Sequence, residues 1–281
     1  TADDGLFALD SPHICEERIA YTDDSEVLFD TKQDAVQTLN DALHPTSVVG
    51  RGDANLTMQG TGSTDGNGSL NKAGDGKFTI ETLNNYRGAT VLHGGILSFS
   101  TLKNGGVASS IGASDEFAQN WIMDGGTYQY TGASTSTNRS ALLYNETVFE
   151  VTDEKAVVTL NGTVEGSGNL VIDGEGQVNV PSSKFFAYEG DVVLRGGALY
   201  LSTVEAAKAG IGSASRLVFE GGTLKTKGES NNYETYNFPI HVVEGTTSIF
   251  APNRNCYLKS VVTGSGTLQW NIPYLREHIQ G

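Results

Sequence analysis

Gly66-Asn-Gly68-Ser-Leu70 opens a stretch that runs on through Gly74-Asp-Gly76-Lys-Phe78-Thr-Ile80. The same stretch returns one hundred residues later as Gly166-Ser-Gly168-Asn-Leu170 and Gly174-Glu-Gly176-Gln-Val178-Asn-Val180. A third start stands at Gly264-Ser-Gly266-Thr-Leu268. Between the first two copies the landmarks keep their order. Tyr86 and Gly88 match Tyr188 and Gly190, and His93-Gly94-Gly95-Ile-Leu-Ser-Phe99 matches Arg195-Gly196-Gly197-Ala-Leu-Tyr-Leu201. Ile111-Gly-Ala-Ser114 matches Ile211-Gly-Ser-Ala214, and Trp121-Ile-Met-Asp-Gly-Gly-Thr127 matches Leu217-Val-Phe-Glu-Gly221-Gly222-Thr223. The offset drifts only between 96 (Trp121 to Leu217) and 102 (His93 to Arg195). Ordered self-similarity of this kind marks internal repetition.

Each copy holds several strand-turn units of roughly 20 residues, and no unit of that size buries its own apolar face; stacking creates the core. Val178-Asn-Val180 and Ala198-Leu-Tyr-Leu201 alternate with the period of two expected of a strand. Glycine supplies 35 of 281 residues with no collagen-like period and only 6 prolines, so it marks turns. These features predict an all-β, right-handed parallel β-helix (a β-solenoid), with stacked strands over about 47–270 and the paired landmarks roughly five rungs apart. The turn glycines are Gly66, Gly68, Gly94, Gly95, Gly166, Gly168, Gly196, Gly197, Gly221, Gly222, Gly264 and Gly266. The β-helix is placed at 46–281, with copies near 66–165 and 166–263 and a third beginning near 264. Residues 1–45 read as an N-terminal cap or the remnant of a preceding domain. Within them Thr31 to Asp34 reads as a helix start. Ala35, Val36, Leu39, Ala42 and Leu43 follow at helical spacing, and Pro45 stops the run. The helix over 31–43 is expected to bury Val36 and Leu39 against the first rung.

The formal charge is −15, from 33 acidic and 18 basic residues, which opposes binding to nucleic acid or anionic lipid. Cys15 and Cys256 stand almost a chain length apart, so no disulfide is expected in an elongated solenoid. No apolar run approaches the roughly 18 residues of a membrane span, and no signal peptide is present. Thr1 therefore follows a removed segment, or the chain is a portion of something longer.

Asn85-Tyr-Arg-Gly-Ala-Thr-Val91, followed by Gly94-Gly-Ile-Leu, resembles the autotransporter-associated β-strand repeat of bacterial passenger domains. Asn104 to Ser114 resembles the segment that follows it there. The resemblance spans about 47–270 and is strongest over 66–114. In the second copy Phe186-Ala-Tyr188 replaces the Asn-Tyr pair, and Val192 replaces Thr90. The resemblance implies a β-helix outside the cytoplasm, secreted or at the cell surface, and a context of carbohydrate biology. A fold supplies no mechanism by itself.

No nucleophile elbow, Walker loop or zincin helix is present, and the glycine pairs lack the lysine and helix of a phosphate site. His13, His44, His93, His241 and His278 form no ligand pair at short spacing. Asp75/Glu175 and Asp124/Glu220 keep their charge between copies but stand at glycine turns. A glycosidase needs two facing carboxylates, and a lyase needs calcium ligands beside a base. No catalytic residue and no resident metal or cofactor are assigned; weak surface calcium on Asp173, Glu175, Glu189 and Asp191 is the one alternative. Trp121, Tyr128, Tyr130, Tyr144, Tyr200 and Trp270 are either sugar-stacking faces or core residues. Tyr128 and Tyr130 share one side of their strand, as an aromatic ladder would. The glycan-contact candidates are Trp121, Tyr128, Tyr130, Tyr200 and Trp270. The leading reading is a non-catalytic surface or secreted module, serving as stalk, adhesion surface or glycan contact, whose partners are a polysaccharide or cell-surface glycan and other domains of a longer chain. The alternatives are a polysaccharide lyase or hydrolase with a groove site, and a scaffold for an attached carbohydrate-active domain.

Overall fold

A computed structural model describes residues 7–8, 21–185, 187–201, 216–227, 234–253, 256–271 and 278–279. His13, Cys15 and the Ile211–Ala214 landmark lie outside the described residues. Within them the chain coils into stacked strands on three sides. Nine strands form the first face, from Phe7–Ala8 to Ala187–Tyr188. Eleven form the second, from Ala35–Leu39 to Val262–Gly264, and seven form the third, from Thr135–Thr137 to Thr267–Trp270. A two-stranded sheet (Ala42–Leu43, Ser63–Thr64) precedes the third face, and a three-stranded one (Glu234–Tyr236, Cys256–Leu258, His278–Ile279) follows the first.

Ala141–Leu143, Thr147–Val151 and Val157–Leu160 make one turn of the coil; Val164–Gly166, Leu170–Gly174 and Gln177–Val180 stack on it in parallel register. Successive rungs are offset by 19 residues (Lys77↔Ile96) to 26 (Thr223↔Ile249). The offset rises to 31 (Ile96↔Thr127) where residues 101–120 are inserted. The fold is thus the expected parallel β-solenoid. Among the described residues no helix is long and apolar enough to cross a membrane.

The spacing of the copies differs from five rungs. Lys77–Ile80 lies on the second face, and its copy Gln177–Val180 lies on the third. Four rungs lead from Phe78 through Leu97, Tyr128 and Phe149 to Ile172, and one further strand reaches Val178. Each copy is therefore displaced by four rungs and one face. The Gly-x-Gly-x-Leu turn follows suit: it enters the first face at Leu70, the second at Leu170 and the third at Leu268. A tight turn onto the rung below makes the same demand at every corner. A Cβ on Gly68, Gly168 or Gly266 would stand 2.1–2.3 Å from the carbonyl oxygen of Pro45, Asn145 or Val243. Gly166 and Gly264 also hold φ of +95 and +97, a region costly for other residues.

Apolar ladders fill the interior. Val158, Val178, Leu199, Leu224, Phe250 and Trp270 stack from the third face, and Phe78, Leu97, Tyr128, Phe149, Ile172, Leu194 and Phe219 from the second. Among the described residues two buried cations, Lys72 and Arg139, interrupt this apolar interior. Lys72 stands between Gly50 and Leu92 in register and donates to the carbonyls of Ala73 (2.6 Å), Gly74 (2.8 Å) and Gly94 (3.3 Å). Burial pulls its amino group down to about 8, against the opposing pull of Asp75 and Asp53. Arg139 anchors the insertion, donating to Lys103 O (3.0 Å), Ser114 Oγ (2.8 Å) and Gly112 O (2.8 Å).

The helix expected over 31–43 is absent. Glu26–Thr31, Ala35–Leu39 and Ala42–Leu43 are strands, paired in parallel with Ser47–Gly52, Leu56–Gly60 and Ser63–Thr64. Leu39 is buried at 5% exposure as expected, but Val36 points outward at 63%. The period is two, with Ala35, Gln37 and Leu39 facing in. The supposed capping residues serve the next rung instead: Asp34 accepts from Asn55 N (2.9 Å), and Thr31 Oγ1 donates to Ala54 O (3.1 Å). Rung-to-rung hydrogen bonds outcompete a solitary helix, whose own stability in water is marginal at this length.

Candidate functional site

The strand parity places each aromatic candidate. Trp121 (1% exposed), Tyr128 (0%) and Tyr130 (2%) face the interior. Trp121 stands edge-on to Tyr128 at 5.8 Å and to Phe149 at 6.0 Å, and Phe99 stands edge-on to Tyr130 at 5.6 Å. The Tyr128 hydroxyl donates to Ile122 O (2.9 Å) and that of Tyr130 to Ala133 O (2.6 Å). Burial raises both phenols above their ordinary value. The shared side of Tyr128 and Tyr130 is thus the inner one, and no open aromatic ladder exists there. Trp270 continues the inner ladder above Phe250, edge-on at 4.9 Å, and is half-buried. Tyr144 is exposed at 58% between strands. Tyr200 alone among the five contact candidates lies on an outward ladder.

That ladder runs Ser136, Thr159, Asn179, Tyr200, Lys225, Ala251 up the third face. Beside it run Val157, Gln177, Ala198, Thr223, Ile249 and Gln269. Their side chains are tied together. Lys225 Nζ donates to Gln177 Oε1 (2.8 Å), Gln177 Nε2 to Asn179 Oδ1 (2.7 Å), and Asn179 Nδ2 to Thr159 Oγ1 (3.4 Å). Lys225 and Gln177 sit on different ladders two rungs apart, so the lysine chain crosses the rung of Ala198 and Tyr200. Lys225, Gln177 and Asn179 were not marked by sequence reasoning, although the alternation of Gln177-Val-Asn179-Val carries the signal.

The second face is built differently over the same rungs. Its central outward ladder is Val148, Val171, Val193 and Val218, flanked on one side by Glu150, Asp173, Arg195 and Glu220. Arg195 Nε pairs with Glu220 (3.0 Å) while its Nη2 reaches toward Glu146 at 4.0 Å. Glu146 lies two rungs below at the other strand end, so this side chain spans the face over Val171, which is fully buried. Arg216 pairs with Asp191 at 2.7 Å.

One of the two repeated acidic pairs, Asp124 and Glu220, is likewise engaged between rungs. Asp124 faces His93 Nδ1 (2.8 Å) and accepts from Asn145 Nδ2 (2.7 Å). His93 and Arg195 match between copies, as do Asp124 and Glu220, so the base-acid contact is repeated with them. Asp173 accepts from Gly174 N (2.7 Å). Among the described residues no three His, Cys, Asp or Glu side chains gather as a metal site would require. Cys256 is buried.

No family model matches the chain, and no solved structure does. Among curated proteins it is similar to the "Adhesin BmaC autotransporter" of Brucella suis biovar 1 (strain 1330), at 28% identity over 243 residues. The match covers 79% of this chain and 7% of the relative, so the chain spans a small part of that relative's length. With the stacked parallel strands, this similarity supports a passenger-type β-helix of the autotransporter kind.

Proposed function

We propose that this chain is a non-catalytic β-helical module of a surface-displayed or secreted protein, serving adhesion through its outward ladders, with glycan contact as the finer role. The similarity to part of an autotransporter adhesin over 79% of the chain carries this reading. The physics agrees with it: a solenoid offers long, rigid, repetitive surfaces. Catalytic carboxylates must face one another across a bond. Here Asp124, Asp191 and Glu220 are instead each held by a partner on a neighbouring rung.

The test is display of the chain on a non-adherent bacterium, with attachment to epithelial cells counted against a β-helix of similar length that does not adhere. Attachment above the control is the expected result, and none would overturn the adhesive reading. Incubating the purified chain with neutral and acidic polysaccharides, with and without calcium, tests the other half. Appearance of reducing ends or unsaturated products, abolished by changing one carboxylate, would overturn the non-catalytic reading.

A further inference from the structure

We propose, independently of the adhesive reading above, that Asn67 and Asn161 are acceptors for N-linked glycosylation. Both stand on the corner that leads the coil onto its first face, between Thr64 and Ser69 and between Leu160 and Val164.

The acceptor pattern Asn-x-Ser/Thr occurs five times, at Asn55-Leu-Thr57, Asn67-Gly-Ser69, Asn138-Arg-Ser140, Asn145-Glu-Thr147 and Asn161-Gly-Thr163. All five asparagines are exposed, so exposure alone selects none of them. Their carboxamides do. Asn55 Nδ2 donates to Asp34 (3.3 Å) while its Oδ1 accepts from Lys77 N (3.2 Å). Asn145 Nδ2 donates to Asp124 (2.7 Å), and the hydroxyl residue of that tripeptide, Thr147, is fully buried. Asn138 Oδ1 accepts from Gly105 N (2.8 Å) and so ties down the inserted segment, next to the buried Arg139. A sugar on any of these three would disturb a bond that joins separate stretches of the coil. Among the described residues the side chains of Asn67 and Asn161 make no hydrogen bond.

Their turns do not call for asparagine. At an offset of one hundred residues Asn67-Gly68-Ser69 is matched by Ser167-Gly168-Asn169, and Asn161-Gly162-Thr163 by Thr61-Gly62-Ser63. In both acceptors the middle glycine is buried against the rung below, where a Cβ would meet Pro45 O at 2.1 Å or Arg139 O at 2.0 Å. The asparagine beside it is exposed, and Ser69 and Thr163 are partly so. The two sites lie four rungs apart along the first face, about 19 Å at the usual strand spacing, which leaves room for a sugar on each. The reaction is substitution at the anomeric carbon of a nucleoside-diphosphate sugar presented by a separate glycosyltransferase. The carboxamide nitrogen forms the C–N bond, and the C–O bond to the diphosphate breaks with its electron pair leaving on the phosphate. The nitrogen's proton passes to a base of the transferase. An Nδ2 bonded to Asp34 or Asp124 must first give up that bond; those of Asn67 and Asn161 need not.

Peptide mapping by mass spectrometry of the chain isolated from the cells that produce it should find sugar on Asn67 and Asn161. In a second measurement the folded chain is incubated with a soluble N-glycosyltransferase that reads this tripeptide, and with UDP-glucose. Glucose should enter at the same two positions, and about tenfold more slowly at Asn55 and Asn145, where a bond to a carboxylate must break. Short peptides spanning the five tripeptides should all be modified at similar rates, which assigns the selection to the fold. Ser69→Ala and Thr163→Ala should each abolish transfer to their own asparagine and spare the other. Equal thermal unfolding of these variants keeps folding out of the comparison. Absence of sugar from both asparagines in the isolated chain overturns the proposal whatever the rates with UDP-glucose. So do equal rates at all five positions of the folded chain, or conversion of Asn67 and Asn161 to aspartate with no sugar attached.

Discussion

Removing the Tyr128 ring separates an interior role from a contact role. The ring is fully enclosed, stands between Leu97 and Phe149 in register, and meets Trp121 edge-on at 5.8 Å and Phe99 at 6.3 Å. Tyr128→Phe keeps all of this and loses one hydrogen bond, to Ile122 O at 2.9 Å, a cost of about 1 kcal/mol. Tyr128→Ala also loses the buried ring and leaves a cavity, for which aromatic truncations cost roughly 3–5 kcal/mol. At a urea slope near 2–3 kcal/mol/M that is a midpoint shift of roughly 1–2 M. Because each rung of a solenoid leans only on its neighbours, hydrogen exchange should accelerate first in Ile96–Phe99, Thr127–Tyr130 and Thr147–Val151. Urea unfolding followed by circular dichroism, with exchange read by mass spectrometry, makes the comparison. An alanine variant that unfolds like the wild type would refute the interior placement. So would a phenylalanine variant of unchanged stability that lost ligand binding.

Three further outcomes follow from the same geometry. Gly166→Ala should destabilise by at least about 1–3 kcal/mol, the cost of a side chain in a left-handed conformation. Its Cβ would also meet Leu143 O at 2.1 Å; equal thermal unfolding of variant and wild type would contradict this. Lys72→Met should reveal the pH dependence of the buried amine. Its folded value near 8 lies below the ordinary 10.5, so the unfolded chain binds more protons between those pH values and wild-type stability rises with pH there. The difference in unfolding midpoint between wild type and variant should therefore move in favour of the wild type from pH 8 to 10.5 and stay flat below pH 8. A flat difference throughout would place the amine in solvent. Leu39→Ala should cost about 2–5 kcal/mol, whereas Val36→Thr, on the outer side, should change thermal unfolding little. Equal losses would return that segment to the helical reading.

The solenoid was legible because glycine turns and alternating strands recur in order, and stacking makes the same demand at every corner. That uniformity also hid the one-face displacement of the copies: Gly94-Gly95 turns from the first face to the second, and Gly196-Gly197 from the second to the third. No residue in the turn records which corner it makes. The sequence suggests a helix over 31–43 because Ala35, Leu39 and Ala42 satisfy a helical spacing while lying in two separate strands. Alternation alone puts Tyr128 and Tyr130 on one side of a strand, as the structure has them. Which side faces inward is set by Leu97 and Phe149 on the neighbouring rungs, thirty-one residues before and twenty-one after.

The same comparison indicates where function is legible in such a chain. Inner positions stay apolar between copies: Phe78 becomes Val178, Ile80 becomes Val180, Leu97 becomes Leu199 and Phe99 becomes Leu201. Outer positions between them change in kind: Lys77 becomes Gln177, Thr79 becomes Asn179, Ile96 becomes Ala198 and Ser98 becomes Tyr200. The stack constrains the first set through packing density, which leaves little room for change of volume or polarity. The second set points away from that interior and changes in kind even where neighbouring side chains cover it, as they do Ser98 at 1% exposure, whose hydroxyl donates to Gln129.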